Sequence, residues 1–231
     1  MVDASLEKRH TVRSFDDDLK TLTGRIVHMG ALAEQQVAQA VDAIAQRRPE
    51  LAAHVIDNDP EVDDLEEEID QYAIRLLAMR QPLGIDLRIV AMSLKISNDL
   101  ERISDYAVSI AKRAQRLADE PEFRPLVILP HMSHICQGMV KDVLDALLEL
   151  DADKAMEVWH RDDEVDQLYT TLFRELLTYV LEDPRRTSIC IDLLFVAKNL
   201  ERIGDHATNI AEKIHYMIHG AEINRMRNRP S

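Results

Sequence analysis

LERISDYAVSIAKR, residues 100–113, and LERIGDHATNIAEK, residues 200–213, are one design written twice at an offset of 100. In the first copy the apolar positions Ile96, Leu100, Ile103, Ala107, Ile110, Ala114 and Leu117 alternate steps of four and three. The second copy repeats the pattern with Leu200, Ile203, Ala207, Ile210, Ile214 and Met217. That period is the signature of a long helix with one apolar stripe turned to a bundle core.

The duplication reaches further along the chain. DPEVDDL (59–65) aligns with DDEVDQL (162–168), now at an offset of 103. The change of three predicts that the connection near Pro82 and Gly84 differs in length from its counterpart near Pro184. Proline and glycine punctuate the sequence between stretches of helical period. They predict six major helices near 11–46, 60–80, 86–119, 131–150, 153–182 and 187–219, with a short turn of helix at 50–56. The connections are short, so sequential helices are expected to be antiparallel neighbours. The expected fold is all-α, six long helices forming two tandem, similar three-helix bundles. Residues 1–120 form the first bundle and 121–220 the second, with 221–231 as a flexible tail carrying Arg225, Arg227 and Arg229.

Composition agrees with helices. Of 231 residues 46% are hydrophobic but only 4% aromatic, and six are glycine, so the core is built from Leu, Ile, Val, Ala and Met rather than as a sandwich or barrel. The formal charge of −14 argues against nucleic acid or anionic lipid as a main partner, since both are recognised through Lys and Arg clusters. Cys136 and Cys190 lie far apart inside apolar helical pattern, which predicts buried free thiols, not a disulfide framework or thiolate zinc site. No apolar run approaches a membrane span, and the expected location is cytoplasmic.

The candidate chemistry sits in carboxylate pairs spaced i, i+4. These are Asp59/Asp63 and Glu101/Asp105 in the first half, and Asp162/Asp166 and Glu201/Asp205 in the second. That spacing places both acids of a pair on one helical face, opposite the apolar seams, so they are expected to point outward. A solvated acidic face is the ordinary reading of one such pair. Against it, like charges at this spacing destabilise a helix by a few tenths of a kcal/mol, about as much per pair as an ion pair contributes, and here the pattern stands at four matched places on neighbouring helices. Oxygen-only ligands suit hard or borderline cations such as magnesium, manganese, iron or zinc. His206 and Asn209 lie a turn from Asp205 and are candidate extra ligands or surface polar residues, with Tyr106 and Ser109 in their places in the first half. Arg102 and Arg202 are expected to form ion pairs. A di-iron carboxylate site would need Glu-x-x-His pairs facing a core. Glu7/His10 and Glu157/His160 have the spacing, but the first pair precedes any clear helix and the second is out of phase with the Val165, Leu168, Leu172 seam. No Gly-rich phosphate loop, Ser-His-Asp set or Cys-His nucleophile can be placed, so no enzyme is expected. A carboxylate-bridged, metal-dependent hydrolase and a purely structural acidic scaffold are the competing readings.

Taken together, the tandem units, the acidic pairs and the strings LERISDYA and LERIGDHATNIAE resemble the PhoU family of phosphate-signalling regulators, from about His10 to Gly220. The resemblance implies metal clusters on Asp59, Asp63, Glu101 and Asp105, and on Asp162, Asp166, Glu201 and Asp205. It also implies a cytoplasmic negative regulator of the phosphate-starvation response, commonly dimeric. Such a regulator acts between the ATPase subunit of a phosphate ABC transporter and a membrane sensor histidine kinase. Two positions depart from strict repetition: Asp99 against Asn199, and Ser104 against Gly204.

Overall fold

The computed structural model describes residues 4–120 and 127–222, with side chains from Phe15 onward. The described residues are helical: α1 (Ala4–Ala45), α2 (Pro49–Asp57), α3 (Asp59–Arg80), α4 (Gly84–Leu117), α5 (Ile128–Glu149), α6 (Ala152–Glu182) and α7 (Thr187–His219). A single 3-10 turn, Pro184–Arg186, joins α6 to α7. The starts follow local chemistry. Pro49 and Pro60 occupy the first turns of α2 and α3, where a missing N–H costs nothing. The Asp151 carboxylate accepts from the Lys154 N–H at 3.0 Å and caps α6. At the far ends, Gln81 and Leu150 take left-handed conformations (φ 47° and 51°) that stop α3 and α5.

The three-residue change of offset falls in the connections, as expected: residues 81–83 separate α3 from α4, whereas Asp183 alone stands between α6 and the 3-10 turn that runs into α7. One expectation needs correction: α1 begins at Ala4, so Glu7 and His10 lie within a helix rather than before one, although their side chains are outside the described residues. The tail arginines Arg225, Arg227 and Arg229, and the segment 121–126 between the halves, also lie outside them.

In the first half α1, α3 and α4 pack together with α2 wedged against α1 and α4; in the second, α5, α6 and α7 form the matching bundle. The seams read from sequence are buried: Leu100, Ile103, Ala107 and Ile110 on α4, and Leu200, Ile203, Ala207, Ile210, Ile214 and Met217 on α7, are fully enclosed. The bundles are not independent beads. α4 lies along α7 and α1 along α5, and the buried apolar side chains of both halves form one continuous core. Gly30 makes the second approach possible: a Cβ there would meet the Leu144 side chain at 2.5 Å.

The α4–α7 seam carries a polar layer that obeys the repeat. Asp99, buried, accepts from His206 Nδ1 at 3.0 Å and pairs with Lys213. At the pseudo-equivalent place Asn199 donates to Ser109 Oγ at 3.0 Å, and Ser109 also accepts from Arg113 at 2.8 Å. One end is further tied by Arg88, which donates to the carbonyls of Met217 and Ile218, the other by Arg116 and Asp192 at 2.5 Å. The helices therefore run antiparallel. The departure of Asp99 from Asn199 has a physical reason: a carboxylate faces two basic groups, and a neutral amide faces a hydroxyl that already takes a guanidinium.

Candidate functional site

The eight acids of the four pairs gather into two clusters, one per half. In the first, Asp59 and Asp63 on α3 meet Glu101 and Asp105 on α4; in the second, Asp162 and Asp166 on α6 meet Glu201 and Asp205 on α7. They do not all point outward. The Glu101 and Glu201 side chains are only 19% and 15% exposed, sunk in the groove between paired helices. Position on the helical wheel put them opposite the core seam, but the neighbouring helix covers the flank of that face.

Burial and mutual repulsion act on the acids in the same direction. Desolvation, with Asp105 nearby, raises Glu101; desolvation, with Asp63 and Asp105, raises Asp59. In the second cluster desolvation followed by Glu201 raises Asp166 and Asp205, and desolvation followed by Asp205, Asp166 and Glu201 pushes Asp162 up to about 7. The halves differ here because of the second departure from strict repetition. The Ser104 hydroxyl, shared between Gln36 Oε1 and Asp59 Oδ1 (3.1 Å to the latter), offsets part of that carboxylate's desolvation. Gly204 offers no hydroxyl, and a Cβ there would stand 2.9 Å from Asp162 Oδ1. The glycine makes room for the Asp162 carboxylate and leaves it without a donor.

Basic side chains stand among the acids. Arg102 bridges Glu101 at 3.2 Å and Asp105 at 2.9 Å, the ion pair expected of it. Arg202 lies over the Tyr106 ring, 5.6 Å from its centroid, and among the described residues makes no such pair. Lys198 takes that part instead, 2.5 Å from Glu201. His206 is bonded through Nδ1 to Asp99 in the α4–α7 seam and also acts to lower the Asp205 carboxyl beside it. Sequence reading missed Lys198, three residues before Glu201, and Glu66, three after Asp63, whose carboxyl is raised by desolvation beside Asp70 and Asp63. Both lie at helical spacing from a motif acid, the one signal that pointed to them. Cys136 and Cys190 are buried free thiols, and burial pushes both up, Cys136 far above the usual range.

The arrangement suits a cation. In both motif glutamates Oε2 is buried, with Arg102 Nε 3.2 Å from Glu101 and Lys198 Nζ 2.5 Å from Glu201. The carboxylates outnumber the basic side chains paired with them, and the excess negative charge is what a further cation would balance. Among the described residues no three His, Cys, Asp or Glu groups already converge on one point. The donor set is oxygen throughout, which fits a hard or borderline ion.

Comparison with known proteins reads the same repeat. The model of the PhoU domain matches residues 26–114 and again 129–214. The phosphate-specific transport system accessory protein PhoU homolog of Caulobacter vibrioides (strain NA1000 / CB15N) is 48% identical over 219 residues, 94% of this chain and 95% of that protein. The homolog of the same name from Zymomonas mobilis is 46% identical over 93% of this chain and 90% of its own. The crystal structure of PhoU from Pseudomonas aeruginosa, 40% identical, superposes with a TM-score of 0.86 over 90% of this chain and all of that one. The phosphate transport system regulatory protein PhoU from Streptococcus pneumoniae, 28% identical, gives 0.84 over 91% and 99%. With a domain match in each half and near full-length relatives at this identity, the chain belongs to the PhoU family.

Proposed function

We propose that the chain is a cytoplasmic, non-enzymatic adaptor that represses phosphate-starvation signalling and modulates phosphate uptake. In this reading it links the ATPase subunit of a phosphate ABC transporter to a membrane sensor histidine kinase, as a homodimer. Support for the role comes from the relatives, which are named as accessory or regulatory proteins of phosphate transport. Consistent with a partner bound at the membrane surface rather than within it, no helix among the described residues is long and apolar enough to cross a membrane. The charge of −14 is against nucleic acid as a partner.

The observation that carries the metal part is the gathering of four carboxylates in each half around the largely enclosed Glu101 and Glu201, with several of these acids raised by burial and by their neighbours. Asp59, Asp63, Glu101 and Asp105 would hold one cluster, and Asp162, Asp166, Glu201 and Asp205 the other. Magnesium, manganese, iron or zinc would supply positive charge beyond that of Arg102 and Lys198. The protein's own residues set the rest: the bundle cores fix helix spacing, and Ser104 and Gly204 set how closely Asp59 and Asp162 approach.

Metal content of the purified protein tests the site. Glu101→Ala with Asp105→Ala is expected to lower stoichiometry while helicity is retained, because neither acid belongs to the apolar seam. Unchanged metal content removes these ligands from the proposal. Deletion of the gene tests the role: starvation reporters are expected to become active at high phosphate, and reporters that stay silent refute the adaptor reading.

A further inference from the structure

The last turn of α7 carries a pair of histidines outside both acid clusters. In HYMIH, residues 215–219, they stand at i, i+4 and so share one helical face. Side chains on a helix lean toward its N-terminus, which carries the His219 ring back over His215. The two rings meet, with centroids 4.6 Å apart and planes inclined at 50°. His219 is exposed, while His215 is half-buried and its Nδ1 is enclosed without a hydrogen-bond partner. Buried N–H groups lacking an acceptor are rarer than unmet lone pairs. The ring proton of His215 is therefore assigned to Nε2, which leaves the lone pair on Nδ1. The repeat shows that folding does not call for these histidines. Their matched positions in the first half are Gln115 and Asp119, both exposed, and that half closes the same bundle with them.

We infer that His215 and His219 form a two-imidazole site for a borderline divalent ion, nickel(II) or copper(II), separate from the oxygen-only clusters. The separation of the rings carries the argument. A metal–nitrogen bond of about 2.1 Å and a ring radius of about 1.1 Å put each ring centre about 3.2 Å from a shared ion. At the cis angle of about 90° found in tetragonal coordination, the two centres then stand about 4.5 Å apart. A tetrahedral angle opens them to about 5.2 Å, the arrangement zinc adopts. The 4.6 Å between the rings matches the cis pair, the geometry of nickel(II) and copper(II). Imidazole also suits these ions, where carboxylates suit harder ones. The ion takes the unmet lone pair of His215, exposed His219 turns to close the chelate, and water fills the remaining positions. The carbonyl end of α7 favours a cation, although Arg88 already bonds the carbonyls of Met217 and Ile218. The site depends neither on a role in phosphate signalling nor on metal at the acid clusters.

The test uses the full-length chain, stripped with chelator and kept in excess magnesium, the kind of ion the oxygen clusters suit. Substoichiometric copper(II) is expected to broaden the ring NMR signals of His215 and His219 before those of the other histidines. Electron paramagnetic resonance of the same sample is expected to show two nitrogen donors. Nickel(II) titrated by calorimetry is expected to bind His219→Ala at least ~10-fold more weakly than wild type. His131→Ala with His134→Ala, which removes the other closely spaced pair, is expected to leave the affinity within about two-fold. His219 is exposed, so its replacement spares the core; His219→Gln serves as a second variant, and circular dichroism confirms that each folds. Equal nickel affinity in wild type and His219→Ala overturns the inference, since the rings then only pack on one another. So does copper broadening that reaches His131, His134 or His160 first. Loss of all nickel binding in excess magnesium also overturns it, because the ion then belongs to the carboxylates.

Discussion

Replacing Gly204 by serine tests whether the two acid clusters differ for the reason given. The first half shows the outcome: at the matching position the Ser104 hydroxyl, shared with Gln36, reaches Asp59 at 3.1 Å. In the second half the new Cβ would begin 2.9 Å from Asp162 Oδ1, but that atom ends a flexible side chain and can turn aside. A hydrogen bond to a charged group contributes about 1.5–3 kcal/mol, and one pKa unit is about 1.4 kcal/mol. Asp162 is half-exposed, so the lower end applies, and its carboxyl is expected to fall by about one unit from its present value of about 7. In the metal-free wild type the proton on Asp162 makes stability depend on pH. Below about pH 4 folded and unfolded chains both hold it. Between there and about pH 7 only the folded chain does, so stability declines as pH rises through that window. The variant gains about 0.5 kcal/mol of helix propensity at every pH. Its further gain is confined to neutral and higher pH, where Asp162 is charged. Carboxyl NMR titration of Asp162 and thermal melts at pH 4.5 and 8 measure the two parts. A midpoint unchanged near 7, or the same gain in melting temperature at both pH values, refutes the reasoning.

Asp99→Asn removes the carboxylate facing Lys213 and His206 and is expected to cost about 3 kcal/mol in chemical denaturation, since it leaves a half-buried ammonium unpaired. Stability within 0.5 kcal/mol of wild type, about the scatter of ordinary surface substitutions, would show that the seam does not rely on this pair. Gly30→Val drives a branched side chain into Leu144 and is expected to lose about 1–3 kcal/mol and lower the melting temperature. A neutral result would mean that α1 and α5 can move apart. Ile203→Asp buries a charge at a fully enclosed position and is expected to cost more than about 4 kcal/mol, read as lost helicity; a folded variant would contradict the seam.

Much of this was legible in the sequence because the pattern and the structure share a period. Ile103 and Ile203 are buried for the reason their spacing gave, and the acids of the four pairs meet because the helices that carry them are adjacent. What escaped depended on neighbours that a helical wheel does not contain. Glu101 and Glu201 were expected to face outward, yet α3 and α6 cover the flank beside them. His206 was singled out by its proximity in sequence to Asp205, but its bond across the α4–α7 seam to Asp99, a residue 107 positions away, was not visible there. The difference between Ser104 and Gly204 was visible as a departure, and only the distance to Asp59 and Asp162 gave it meaning.

The continuous core carries a thermodynamic consequence. Because α1 lies against α5 and α4 against α7, neither bundle can melt without stripping apolar surface from the other. The duplicated chain is thus one cooperative unit, expected to unfold in a single calorimetric transition. A cation bound at either acid cluster then stabilises both halves by mass action, and loss of that cation loosens both. A chain cut at residue 120 would expose the Gly30 face of α1, so an isolated half is expected to self-associate rather than behave as a small domain.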